Sequence, residues 1–571
     1  MIERKKDQKQ KVPEVKTFAV PFILGEVKEN ISINLNTPSK ISKEQIINQA
    51  FKFHSEGNIP EAVKYYQLFI NQGLEDYRVF SNYGIILKGF GKLKEAEISY
   101  RKAIELHPDF ADAYLNLGDL LRDLSNLEEA ELYTRKAIKI NPDFADANSN
   151  LGIILKDLGN LKEAELYTRK AIKINPDLAD SHSNLGIILN NIGKSQEAEL
   201  SIRKAIKLNP NLADAHLTLG NILRDLGKLE EAEISQRKAI ELKPDFAEAY
   251  SNLASLLLQR MKFKEGWDYY EWRWKVHDKD NYIGEKLVTS KPEWSLISKG
   301  RVLLWGEQGI GDQILFTSLI PELVQKVDKL IVKVDKRLIP LLQRSFDKNI
   351  IYFDQNDFIS EDKYDFQIAM GSLPRLLITN KESLTKSNKT YLKVDDKKSH
   401  NFRKQLRNLK FEKIIGISWK SMSKINKDKS LSLEEFILGI HSPSFCFVNL
   451  QYGDTTDEII NLKKKYDINI IDIDEVDTFN DIDDLASLIN ACDQIVTIEN
   501  LISDLAGAIG INSLILLNNK SHWRFGQTND YSYWFPLQKL FRKNQSQTWD
   551  NTLNQIQKDL ISENNKIHTS I

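Results

Sequence analysis

The chain has 571 residues, too many for one ordinary domain, and its 41% hydrophobic and 28% charged residues are the balance of a soluble globular protein. Its 79 basic residues are matched by 80 acidic ones, so composition gives no footprint for nucleic acid or an anionic membrane surface. Two cysteines far apart in sequence, Cys446 and Cys492, exclude a disulfide framework or a cysteine-built zinc site and point to a reducing, cytoplasmic setting.

Residues 1–40 are polar apart from the short, proline-broken "FAVPFILG", which reads as neither a signal peptide nor a membrane span, and this segment is expected to be disordered or loosely attached. No uninterrupted apolar stretch of about 18 residues follows it, so no membrane span is expected.

From residue 41 to 278 a period of 34 residues governs the chain. Pro108, Pro142, Pro176, Pro210 and Pro244 mark it, as do Gly84, Gly118, Gly152, Gly186 and Gly220, and the alanine ladder Ala96, Ala130, Ala164, Ala198 and Ala232. Small residues stand where two helices must approach closely, Leu117, Leu121 and Ile138 fill between them, and proline ends the second helix because it lacks the N–H and clashes with the preceding turn. A lone hairpin cannot bury its apolar face, so about seven such units are expected to stack into an α-solenoid, the first and last degenerate as caps. Period and pattern resemble the tetratricopeptide repeat. Asn82, Asn116, Asn150, Asn184 and Asn252 recur at one position of the first helix, with Thr218 in the sixth unit. An amide carries both a donor and an acceptor, so this row either reads an extended peptide backbone in the groove or satisfies polar groups between stacked helices. A second polar row, Asp123, Asp157 and Asp225 with Asn191, lies nearby. A protein or peptide partner is expected from either reading.

Residues 279–299 read as a connector. Beyond it, short β-rich runs alternate with helical patterns: "RVLLW", "KLIVKV", "NIIYF", "FQIAM", then "IIGISW", "FCFVNLQ", "INIIDI", "QIVTIE" and "SLILL". Strands separated by helices mean parallel sheets, and nine of them suit two Rossmann-like α/β units. These are placed at 300–395 and 410–562, the second ending in a closing helix, with a charged linker at 396–409 and a tail at 563–571.

"WGEQGIGDQILF" follows the first of these strands. It lacks the third glycine of a dinucleotide fingerprint and the Gly-Lys-Ser/Thr of a P-loop, which disfavours a dehydrogenase or P-loop enzyme. It carries Gly309 and Gly311 and delivers Asp312 to a helix start, either as a carboxylate kept ionised for base catalysis or as a plain N-cap. In the second unit, Lys420, Lys424, Lys427 and Lys429 sit in a Ser-rich loop that either holds a diphosphate or is simply solvated. Asn500 and Ser503 stand at the start of a small-residue helix, where free N–H groups favour phosphate. "HWRFGQTNDYSYWFP" is rich in aromatics around one cation, Arg524, and either covers the cleft or packs an interface.

In order, "LLWGEQGIGDQILFTSLIPEL", "MGSLPRLL", "IGISWKS", "FVNLQYGD", "DIDDLASLINACDQIVTIEN", "LAGAIG", "HWRFG", "YWFP" and "LFR" resemble GT-B glycosyltransferases of the heptosyltransferase type. Behind tetratricopeptide repeats, the layout is similar to that of O-linked N-acetylglucosamine transferases, which glycosylate Ser and Thr of proteins. The resemblance covers almost all of residues 45–545 and implies a GT-B arrangement of the two units, a nucleotide-sugar donor as substrate, no metal and no other cofactor. It implies Asp312 as the base, Lys429 or else Lys420 on the donor phosphates, and Glu499 with its neighbouring backbone at the nucleotide sugar. Where the family has a histidine, this chain has Asp504, which brings negative charge toward a diphosphate. Either Asp504 turns away, the donor differs, or the site is inactive and the chain is a scaffold that binds protein partners.

Overall fold

The computed structural model of the chain describes residues 42–276, 285–387, 390–421, 429–518, 521–543 and 548–568. The segment 1–40, Lys424 and Lys427 lie outside the described residues. The chain divides into two compact units between Ala215 and His216.

The first unit is built of helical hairpins. Five are complete in it: Lys43–Ser55 with Ile59–Asn71, Tyr77–Gly89 with Leu93–Leu106, Ala111–Asp123 with Leu127–Ile140, Ala145–Asp157 with Leu161–Ile174, and Ala179–Ile192 with Ser195–Leu208. The glycine row works by close approach: a Cβ on Gly118 would lie 2.3 Å from Thr134 Oγ1, and on Gly152 2.0 Å from Thr168 Oγ1. Neighbouring hairpins are stitched by a repeating ion cluster. Arg101 binds Glu129 at 2.8 Å and Tyr133 Oη at 2.7 Å, and Arg135 repeats this with Glu163 and Tyr167 one hairpin on.

The sixth hairpin, Ala213–Asp225 with Leu229–Leu242, spans the division, and the second unit continues through the seventh, Ala247–Gln259 with Phe263–Tyr270, into two parallel sheets. The first sheet has four strands in the order β3-β2-β1-β4: β1 (Arg301–Trp305), β2 (Lys329–Val334), β3 (Ile351–Asp354) and β4 (Phe366–Ala369). The second has six in the order β10-β9-β8-β5-β6-β7: β5 (Lys413–Ser418), β6 (Phe445–Asn449), β7 (Ile470–Ile471), β8 (Gln494–Ile498), β9 (Ser513–Leu517) and β10 (Gln538–Arg542). An α-solenoid followed by two Rossmann-like units is therefore the architecture. One apolar core joins Phe263 and Trp267 of the last hairpin to Phe316, Trp523 and Trp534.

Three expectations differ. The strand Gln538–Arg542 has no counterpart among the nine expected from sequence, because its first residues, Gln538 and Lys539, are polar. The charged stretch 396–409 is a helix, Asp396–Arg407, capped by Asp395 and anchored by Phe402 and Leu406 one turn apart. The closing helix, Asp550–His568, runs on past residue 562. The connector also takes part in the fold: Trp294 donates its backbone N–H to Gln367 of β4 at 2.8 Å, and its indole is 1% exposed.

Candidate functional site

In a parallel sheet, ligands collect at the carboxyl ends of the strands where the strand order reverses. In the first sheet that point lies between β1 and β4, and in the second between β5 and β8. The sequence places "GEQGIGD" directly after β1 and "ENLISD" directly after β8.

The loop after β1 leads into the helix Ile310–Thr317, whose N-cap is Gly309. Asp312 is thus a first-turn residue and not the cap. Gly309 leaves open space, its nearest neighbour being Asp312 Oδ2 at 3.9 Å from a Cβ built there. Gly311 is different: a Cβ there would lie 2.6 Å from Asp504 Oδ2. Behind the loop, Glu307 is fully enclosed and accepts from Arg273 Nη2 at 3.0 Å and from the Gly371 N–H at 3.0 Å. Arg273 follows the last hairpin and also donates to Ser372 at 2.7 Å, so the tail of the repeats holds the glycine loop from beneath.

The loop after β8 enters the helix Leu501–Ile509. Asn500 caps it, accepting from the Ile502 and Ser503 N–H groups, and its own amide donates to Ser418 Oγ at the end of β5 at 2.7 Å. Ser418 donates on to Gln451 Oε1, which also receives the Trp419 and Lys420 N–H groups. This chain fixes the ends of β5, β6 and β8. It also corrects an expectation: the amides of Ile502 and Ser503 are taken by Asn500 rather than offered to phosphate, and Ser503 is buried with its hydroxyl on the Asn500 carbonyl.

The two loops meet around Arg524, the cation of the aromatic segment. Arg524 Nη2 lies 2.9 Å from Asp504 Oδ1, and Nη1 lies 3.7 Å from Asp312 Oδ1. Asp504 is 2% exposed, so it is a buried partner of Arg524 and not a free negative charge. Burial pushes the Asp504 carboxyl up, against the pull of Arg524. Desolvation likewise pushes Asp312 up, although a third of its side chain still meets solvent, with Arg524 opposing. At Asp312, desolvation thus works against the helix start.

Beside this cluster, Lys429 Nζ pairs with Glu499 Oε1 at 2.8 Å, and the His522 backbone N–H donates to the same carboxylate. Burial lowers the pKa of the His522 ring, and its enclosed Nδ1 has no hydrogen-bond partner among the described residues. Lys420 is not part of the group: its ammonium binds Glu458 at 2.6 Å. A separate cavity of about 250 Å³ opens at the ends of β6 and β7, lined by Asn449, Gln451, Thr455, Asp472 and Thr478. The roles of Arg524 and His522 escaped the sequence reading. A lone arginine among Trp523, Phe525, Tyr533, Trp534 and Phe535 was the available signal, because a buried guanidinium needs carboxylates.

In the repeats, the asparagine row splits. Asn82 is buried, 2% exposed, and beside Tyr66, so it presents nothing to a peptide, a correction to the groove assignment. Asn116 and Asn184 donate to Ser81 and Ser149 of the preceding hairpin, at 3.4 and 3.0 Å. Asn150 and Asn252 are partly exposed. Of the second polar row, Asp123 pairs with Lys88 at 2.8 Å.

Comparison with known proteins supports the repeat half. Models described as TPR repeat match residues 90–125 and 220–259, and others described as tetratricopeptide repeat match 111–144, 145–178, 167–199 and 202–234. Protein FlbA of Caulobacter vibrioides is 30% identical over 313 residues, 51% of this chain and 51% of that one, so the chain spans about half the length of the curated relative it matches. Among solved structures, YrrB, a TPR protein described as having an unusual peptide-binding site, is 27% identical over 32% of this chain and 95% of its own, with a TM-score of 0.26. A thermophilic TPR protein of Thermus thermophilus is 21% identical over 32% of this chain and 100% of its own, with a TM-score of 0.30. The N-terminal half is a run of tetratricopeptide repeats, and the α/β region follows it. Among the described residues no helix is long and apolar enough to cross a membrane.

Proposed function

We propose that the chain is a glycosyltransferase that moves a sugar from a nucleotide-sugar donor to a hydroxyl of a protein acceptor recruited by the repeats, in a cytoplasmic setting that suits two buried free thiols. The observation that carries this reading is the meeting of the two switch-point helix starts, with Asp312 of one 3.7 Å from the Arg524 that binds Asp504 of the other. A partly open carboxylate with an upward-shifted pKa suits a base at neutral pH. Asp312 would take the acceptor proton as the new glycosidic bond forms. The bond from the sugar carbon to the diphosphate oxygen breaks, and the electron pair leaves with the diphosphate. Lys429, released from Glu499, would stabilise that leaving group. The cavity beside β6 and β7 is sized for part of a nucleoside.

The test is a thermal-shift panel of UDP, GDP, ADP and CMP with their sugars, followed by transfer assays with the stabilising donor. Saturable stabilisation by one nucleotide, and loss of transfer in Asp312→Asn at unchanged nucleotide affinity, are the expected results. Full transfer by Asp312→Asn removes the base assignment.

A second reading, a protein-binding scaffold with an inactive α/β region, is favoured by the capped Ile502 and Ser503 amides and by the Asp504–Arg524 pair. Failure of every nucleotide to stabilise a folded protein selects it.

A further inference from the structure

The second helices of five hairpins carry an aliphatic residue at one repeat position: Ile98, Leu132, Leu166, Leu200 and Ile234. All are between 52% and 70% exposed. The hairpin does not need them. In the first and last hairpins the same position holds Lys64 and Asp268, and those hairpins form the same two helices. Single exposed aliphatics are ordinary, but a register-matched row of them marks a contact surface.

Charge sets its partner. In the hairpins of Leu132, Leu166 and Leu200, the residues four and seven places on are Lys136 and Lys139, Lys170 and Lys173, and Lys204 and Lys207. All six are exposed, one and two turns from the leucine on the same helix face, and none makes an ion pair among the described residues. The glutamates of these helices are instead spent on arginines, Glu131 on Arg135 and Glu165 on Arg169. In the flanking hairpins the seventh place is acidic, Glu105 and Glu241, so the basic stretch is confined to the middle three. Between the second helices of the fourth and fifth hairpins lies an open recess of about 430 Å³, lined by Ile172, Leu185 and Leu200 with Arg169, Lys173 and Lys204.

We propose that the second helices of the third to fifth hairpins, Leu127–Ile140, Leu161–Ile174 and Ser195–Leu208, form a docking surface for an acidic protein segment bearing spaced aliphatic side chains. This surface is on the other helix of each hairpin from the asparagine row and does not depend on the sugar-transfer reading. Apolar side chains of the partner enter the recess beside Leu200, and its carboxylates meet the six lysines. A protein segment fits better than an anionic bilayer, because Leu185 is 4% exposed and is reached only by a side chain inserted between helices.

The test is fluorescence anisotropy with the full chain and a labelled Leu-Glu-Glu-Leu repeat peptide, with its Leu-Lys-Lys-Leu counterpart and phosphatidylserine vesicles as comparisons. Saturable binding of the acidic peptide below about 1 mM is expected, weakened at least about tenfold by Leu166→Ser/Leu200→Ser. Lys170→Glu/Lys173→Glu/Lys204→Glu should weaken it similarly and shift preference to the lysine peptide. Circular dichroism should be unchanged, as Lys64 and Asp268 already show polar residues tolerated at the ladder position. No saturation, equal binding of both peptides, or insensitivity to these variants overturns the proposal. So does vesicle binding that depends on the ladder while the acidic peptide fails to bind.

Discussion

Asp504 rests against Gly311. The two residues stand in the first turns of helices that follow strands of different sheets, yet a Cβ on Gly311 would stand only 2.6 Å from Asp504 Oδ2. The backbone there has ordinary dihedral freedom, so glycine is required for the approach and not for its conformation. Asp504 is held in that position by Arg524 and has little room to yield.

Gly311→Ala should therefore destabilise the second unit by about 1–3 kcal/mol. Every tryptophan of the chain lies after residue 216, so urea unfolding followed by tryptophan fluorescence reports on that unit alone. Adding Asp504→Ala should relieve part of the loss, giving a coupling of at least about 0.5 kcal/mol. Strict additivity of the two changes would mean that the contact is not felt.

Arg524→Met leaves Asp504 enclosed without its cation, next to Asp312 and Glu499. A loss of about 3–5 kcal/mol is expected in the same unfolding assay. The double variant Arg524→Met/Asp504→Leu should recover most of it, because an apolar pair of similar size carries no desolvation cost. Equal instability of the single and double variants would show that Arg524 matters for its packing against Phe525 rather than for its charge.

Arg273→Met should behave similarly, stranding Glu307, whose pKa burial already raises. Glu307→Gln should be milder, since an amide oxygen still accepts from the Gly371 N–H and from Arg273. The ranking of the two midpoints is the measurement, and a reversed order would contradict the loop-anchoring role.

The first unit has its own pH signature. His54 is buried against Tyr66 Oη at 3.0 Å, and burial lowers its pKa from 6.5 to about 4. The folded state thus keeps a neutral imidazole that the unfolded state protonates. Stability from this group is complete above about pH 6.5 and is lost as pH falls toward 4, a change of about 3 kcal/mol. Thermal melts by circular dichroism from pH 7 to 4 should show the first unit losing stability, and His54→Gln should flatten that slope.

The repeats and nine of the strands were legible because periodicity is a local property: a 34-residue spacing and short apolar runs survive whatever the chain later packs against. Asp396–Arg407 was hidden by its charge density, with only Phe402 and Leu406 to declare a buried stripe. At the site, Asp312 could be singled out from its loop, but its pairing could not, since Arg524 lies more than two hundred residues away. Asn500 illustrates the opposite failure. A helix start was correctly located, yet whether its amides are free depends on where one side-chain oxygen points. The asparagine row divides for a related reason: one repeat position gives Asn82 a buried setting and Asn150 a partly open one.

The Arg273–Glu307 pair also bears on how this chain can be dissected. A truncation designed from the repeat pattern would cut after the seventh hairpin and leave a glycine loop with its counter-ion amputated. Loss of activity in such a fragment would then say nothing about acceptor recruitment. A cut just before Ala213, where the first helix of the sixth hairpin begins, leaves two hairpins attached and that ion pair whole, so it is the place where removing repeats would test recruitment rather than integrity.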